Sequence, residues 1–295
     1  MTPILLGAIG VLLAHPLPAL LGLMRWPYRV PRAAIVLWQA MAVAAVLAIL
    51  GAGLSTALWL VSPDDRLQWW HVIAHFLVLA LTAFVVVRLC WSAWTVARDT
   101  RERRRRHREM VDVLAEVDRA EPGMRILLEH RPVAYCVPAL RNSRVVVSSG
   151  TLDQLDDAEF AAVVAHERAH VRHRHDLVLE AFTALRTAFP MVPRGDTPLE
   201  QSRVLIEMLA DDRARREHGT LPLARALVKL ADQRTPAGAL GATTATTLRL
   251  ERLSAQPRTH AVEAVFAYAL AIAVLVVPTV SLAVPWIFHA WQSVI

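Results

Sequence analysis

Hydrophobic residues in this chain form long uninterrupted blocks toward both ends and short periodic patterns in between. Residues 3 to 24 carry no acid or base other than His15, a block too long for the apolar core of a signal peptide and without a basic stretch before it. It predicts a first membrane helix, weakened by Pro16 and Pro18, whose missing hydrogen bonds neighbouring helices can offset. Residues 33 to 61 and 70 to 97 predict two further spans, each longer than the roughly 20 residues a crossing needs, with Trp69, Trp70, Trp91 and Trp94 near their ends. A fourth span is expected from 263 to 289.

The middle of the chain changes period. Met110, Val113, Leu114 and Val117 recur at helical spacing, so an amphipathic helix is expected to continue from the third span and to stop near Glu121, Pro122 and Gly123. Short β-prone runs at 126 to 128, 133 to 137 and 144 to 148, separated by Pro132, Pro138 and the pair Asn142 and Ser143, predict a small sheet. Helical patterns then cover about 156 to 175, 176 to 188, 198 to 217 and 222 to 232. Residues 235 to 247, rich in Thr, Ala and Gly, show no strong period and predict a loop before a short helix at 249 to 253.

Composition fits this layout: 55% hydrophobic residues exceeds the roughly 45–50% of a soluble domain, as a soluble insert between membrane segments would. The net charge of +6 takes its meaning from where the arginines lie. The first connection holds Arg25, Arg29 and Arg32, the second sets Asp64 and Asp65 against Arg66, and Arg98, Arg101, Arg103 to Arg106 and Arg108 follow the third span. Because cytoplasmic loops collect Lys and Arg, one topology satisfies all three: N-terminus outside, residues 98 to 262 in the cytoplasm, C-terminus outside. The arginine run suits anionic lipid head groups. No aromatic interleaving or recognition-helix pattern accompanies it, so the lipid bilayer is the expected partner and nucleic acid is not. Cys90 and Cys136 are too few and too far apart for a disulfide framework or a cysteine metal site.

The chemistry is concentrated in His166-Glu167-Arg168-Ala169-His170, an H-E-x-x-H pattern whose value depends on being helical. Asp156 with Glu159 three positions on predicts a capping box at the start of that helix, and Phe160, Val163, Val164 and Val171 supply its apolar face. Residues four apart share a helix face, so His166 and His170 can both reach a Zn2+ ion, with Glu167 beside it as general base. The third ligand has two candidates. Asp176 lies ten residues after His166, but that spacing calls for a glycine where this chain has His173. Glu207 is the better one, because Asp211, four residues on, can take a hydrogen bond from the free ring nitrogen of a ligating histidine. His173 reads as part of a solvated helix end between Arg172 and Arg174. His218, Arg213 and Arg215 are candidates to stabilise an oxyanion. The strand at 144 to 148 is expected to be a sheet edge on which extended substrate lies, with Val145, Val146 and Val147 as substrate-binding positions.

The run from Glu159 to His170, followed by Glu207-x-x-Ala210-Asp211, resembles the gluzincin proteases of the Ste24/HtpX group (family M48) and the BlaR1/MecR1 group (family M56). The stretch from Arg144 to Asp153 is similar to the strand and turn these families place before the motif helix, and Ala134-Tyr135-Cys136 to their earlier strand. Three spans before the catalytic domain and one after resemble the M56 arrangement more than the two-and-two division of HtpX. The resemblance implies a four-span membrane helical bundle (1–97 and 263–295) with an inserted mainly α, small-β gluzincin-type zinc endopeptidase domain at 98–262. It further implies a protein substrate, namely a cytoplasmic DNA-binding repressor. BlaR1 and MecR1 carry a penicillin-binding sensor after the fourth span that this sequence lacks, so direct β-lactam sensing is not expected. The alternatives are an HtpX-like quality-control protease and a catalytically silent signalling or scaffold protein. Retention of Glu167 speaks against the silent form.

Overall fold

The first apolar block breaks at His15. Helix α1 (Thr2–Ala14) ends there and α2 (Pro16–Leu23) begins with proline in its first turn, where no backbone donor is needed. In this computed structural model, residues 2–60, 69–117, 123–139, 143–192, 197–234, 240–255, 260–280 and 284 are described. Helix α3 (Pro31–Trp59) runs antiparallel to α1, with Gly7 facing Ala52 and Gly10 facing Ile49. A β-carbon at Gly10 would meet the Ile49 side chain at 2.7 Å, so glycine sets how closely these helices approach.

Helix α4 (Trp69–Leu114) is antiparallel to α3, His75 Nδ1 lying 2.7 Å from the Ala57 carbonyl oxygen. The last helix, α11 (Ala261–Pro278), is parallel to α3: Arg29 donates to Glu263 at 3.1 Å, and Val30 and Ala33 pack with Ala264 and Ala267. Three helical stretches, Pro3–Leu23, Pro31–Ala57 and Trp69–Leu114, are long and apolar enough to cross a membrane. The apolar part of α11, Ala261–Val276, is shorter, and residues 281–283 and 285–289 of the expected fourth span lie outside the described residues. So does the expected second connection, 62 to 68.

By contacts the chain divides into two units, Met1–Trp94 with Phe182–Gln201 and His260–Ile295, and Thr95–Ala181 with Ser202–Thr259. The segment Phe182–Gln201 falls in the first unit, where Ser92 donates to the Ala184 carbonyl at 2.6 Å and Tyr28 to Gln201 Oε1 at 2.8 Å.

In the second unit, the helix expected to follow the third span is the continuation of α4 itself, which stops at Leu114. A four-stranded sheet follows, made of β1 (Glu116–Val117), β2 (Met124–Leu127), β3 (Ala134–Val137) and β4 (Arg144–Ser148), in the order β1-β2-β4-β3. Strand β4 is therefore internal, parallel to β2 and antiparallel to β3. Val146, on one face, packs with Val111 and Val137, while Val147, on the other, packs with Met124, Ala134, Leu155 and Val163. This corrects the expectation that Val145, Val146 and Val147 form a substrate edge. A strand covered on both faces reads as a continuous apolar run, and that is what these three valines are. The outer strand on this side is β3.

Helix α5 (Ser149–Gln154) is capped by the Ser148 side chain, which accepts from Thr151 N. Helix α6 (Asp157–Arg172) starts with the expected capping box between Asp156 and Glu159. Glu159 is 2% exposed and its charge is met by Lys229 Nζ at 2.6 Å. Helices α7 (His175–Ala188), α8 (Thr197–His218) and α9 (Thr220–Arg234) follow. The expected loop at 235 to 247 is only partly one, since α10 runs Leu240–Ser254, while 235–239 lie outside the described residues. Leu253 of α10 packs into a cluster with Ala162, Ala165, Ala214 and Leu223, so tertiary burial holds a helix that its composition does not announce.

Candidate metal centre

Helix α6 carries His166 and His170 one turn apart, with their Nε2 atoms 3.1 Å from each other. Helix α8 brings Glu207 to the same point, with Oε2 3.4 Å from His166 Nε2 and Oε1 3.5 Å from His170 Nε2. Donors about 2.0–2.2 Å from a tetrahedral zinc ion sit about 3.3 Å apart, so the three separations match what such an ion requires. Among the described residues this is the cluster of three that can hold a metal. Two neutral imidazoles and a carboxylate are also the donor set of catalytic zinc sites that keep one position open. Asp176 lines the same cavity but its carboxylate accepts from Arg104 at 2.8 Å, and it is not part of the cluster.

The surroundings fix the charges. His166 Nδ1 lies 3.0 Å from Asp211 Oδ1, and Asp211 is 1% exposed. Burial opposes a charge on His166, but the Asp211 and Glu207 carboxylates outweigh it and raise its pKa to about 9. For His170 burial prevails and lowers the pKa to about 4, with Glu207 opposing the shift. Burial works against ionised Glu207 too, yet His166, Arg249 and His170 together hold its pKa far below the usual carboxylate range.

Sequence reasoning missed Arg249. From α10 its guanidinium makes a two-pronged bond to Asp211, both distances 2.7 Å, and places Nη1 3.0 Å from Glu207 Oε2. Arg252, three residues on, grips Asp212 in the same way at 2.7 and 2.8 Å. The signal was present as two adjacent aspartates on α8 and two arginines one turn apart on α10, but the segment before Arg249 read as a loop. Arg215, on the same helix, lies 3.4 Å from Asp212.

A cavity of about 730 Å3 opens beside the cluster, lined by Glu167, His175 and Arg203 and by Ala134, Tyr135 and Cys136 of β3. Burial, with Glu167 nearby, pushes the Cys136 thiol up to about 12, so it is no nucleophile at neutral pH. His218, Arg213 and Arg215 are not among the lining residues, and Arg213 pairs with Glu217.

A histidine pair one helical turn apart, a carboxylate closing the triangle from a second helix, and a glutamate in the cleft beside them are the parts that a zinc-dependent hydrolase uses. The comparisons agree: the model for peptidase family M48 matches residues 100–196. A curated relative, "Protease HtpX homolog" from Acidiphilium cryptum (strain JF-5), is 31% identical over 88 residues, which cover 27% of this chain and 31% of that protein. The match thus spans about a third of the relative's length. No solved structure matches. Together with the apolar helices these findings support a membrane metalloprotease on the M48 side of the resemblance. The M56 side gains nothing from them. Glu207, Asp211 and Arg249 lie beyond the matched segment, so their assignment rests on geometry.

Proposed function

We propose that this chain is a membrane-anchored zinc endopeptidase in which His166, His170 and Glu207 hold the ion and Glu167 is the general base. The observation that carries it is the 3.1, 3.4 and 3.5 Å triangle of donor atoms, on the wall of a cavity large enough for a peptide segment. Bound zinc would supply Lewis acidity for attack of water on a peptide carbonyl. Glu167 takes the proton of the attacking water and passes it to the leaving amine. Asp211 holds the His166 ring, and Arg249 holds both Asp211 and Glu207. An extended substrate lies against β3, the strand that lines the cavity.

For the substrate, the M48 match favours the HtpX-like reading, in which membrane proteins are cut. The repressor-cleaving reading draws on the parallel packing of α11 with α3, which fits three spans before the catalytic domain and one after. In both, the catalytic domain is cytoplasmic. Cells carrying the wild-type chain and Glu167→Ala should be compared under cell-wall stress. We expect zinc content to be equal and Glu167-dependent fragments to come from membrane proteins. A shortened DNA-binding protein instead selects the repressor reading, and no Glu167-dependent fragment at all sinks the enzyme.

A further inference from the structure

His175 begins α7 at a place that depends on one unusual residue. Arg174, just before it, has φ of 48°, the left-handed region that side chains other than glycine rarely adopt. That turn folds the chain back so that His175, 6% exposed, returns to the ring of His170, with the two Nδ1 atoms 3.2 Å apart. The ring planes are close to perpendicular, at 85°.

At that separation one nitrogen must carry a proton and the other a lone pair. The tautomer follows from the opposite side of the His170 ring. Its Nε2 is the atom aimed at His166 Nε2 and Glu207 Oε1, so a neutral His170 that offers this atom to a metal carries its proton on Nδ1. His175 Nδ1 is then the acceptor. We propose that His175 is a positioning residue for the metal centre, accepting the His170 Nδ1 proton and so locking the ring with Nε2 toward the ion. The inference rests on the zinc reading above.

The other ligating histidine has a different kind of partner. His166 Nδ1 meets a carboxylate, Asp211, while His170 Nδ1 meets a neutral imidazole. His175 is buried, and as the acceptor it is the neutral imidazole with the lone pair on Nδ1. The two halves of the site are thus oriented by an anionic and a neutral acceptor, and the pair His170–His175 adds no charge to a pocket that already holds Glu207, Asp211 and Arg249.

The test uses full-length protein in detergent, stripped of metal, with zinc affinity measured by chelator competition and metal-free thermal unfolding recorded beside it. In His175→Asn the amide oxygen takes the place of Nδ1. In His175→Gln the amide sits where Nε2 was and cannot reach His170. In His175→Leu there is no acceptor. We expect His175→Gln and His175→Leu to bind zinc about 10–100-fold more weakly and His175→Asn to stay within about threefold of wild type, as for partners of metal-bound histidines elsewhere. Should His175→Leu fail to fold, the Asn and Gln pair, alike in polarity, decides alone. Equal affinities in Asn and Gln variants, whether at the wild-type level or equally weakened, overturn the proposal. A wild-type chain that binds no zinc overturns it together with the metal reading, and is recognisable as that separate failure.

Discussion

The residue scale is set by charge balance around three donor atoms. In the metal-free protein the protonated His166 ring stands between Asp211 at Nδ1 and Glu207 at Nε2, and zinc has to displace the Nε2 proton. With the His166 pKa raised to about 9, zinc affinity should rise about tenfold per pH unit from 6.5 to 8.5 and level off above 9, as titrations across that range would show. Stability follows the same sign. A raised folded-state pKa contributes fully below the unfolded value near 6.5 and is lost as pH climbs through about 9, worth on the order of 3 kcal/mol. His170 and His175, both lowered to about 4, act oppositely, because the unfolded chain takes up their protons first as pH falls below about 6.5. The metal-free protein should therefore melt highest near pH 6.5 to 7 and lower on both sides, by roughly the same account. Arg249 is the second lever. Arg249→Ala leaves the buried Asp211 carboxylate without its guanidinium and should cost the metal-free protein about 3–5 kcal/mol in chemical denaturation. Zinc supplies positive charge to the same place, so the rise in melting temperature on adding zinc should be larger in Arg249→Ala than in wild type.

At the scale of elements, the reach of each pattern decides how well it could be read. The α6 start was legible because a capping box is local, Asp156 and Glu159 closing on each other within one turn. The place of β4 in the sheet was not, because whether a strand is an edge depends on what pairs with it from elsewhere, here β2 and β3. Its run Val145-Val146-Val147 carried the warning, since an edge strand alternates and a covered one does not. The turn between α6 and α7 was also hidden, because nothing in Arg174 itself asks for a positive φ. Arg174→Gly should relieve that conformation and raise stability by about 0.5–1 kcal/mol with zinc affinity unchanged. Arg174→Val should lower stability, and denaturation midpoints of the two variants would check the order.

For the whole molecule, the apolar helices alternate in direction, α1 against α3 and α3 against α4, while α11 runs with α3. The ends that carry Arg29 and Glu263 are therefore the same end of the bundle, paired at 3.1 Å. With the arginine excess on the connections at 25 to 32 and 98 to 108, the expected orientation puts that end in the cytoplasm. Reporter fusions after residue 65 and after residue 259 should then report opposite compartments, outside for the first and cytoplasmic for the second. A cytoplasmic signal from both would reverse the assignment of the second and third spans.

By itself the sequence determined the apolar blocks, the helix that bears His166, Glu167 and His170, and the pair Glu207 and Asp211 four apart on a later helix as candidates to join them. Each of these is a regularity within one segment: a composition, a period, a spacing of four. What only the tertiary structure decided were relations between segments far apart in the chain. Arg249 reaches Asp211 across 38 positions. Strand β4 lies inside the sheet because β2 and β3 flank it. His175 meets His170 only because one left-handed residue turns the chain back on itself. Local propensity is written in neighbours, whereas a charge clamp, a covered strand face or a shared proton exists only once distant pieces have been packed together.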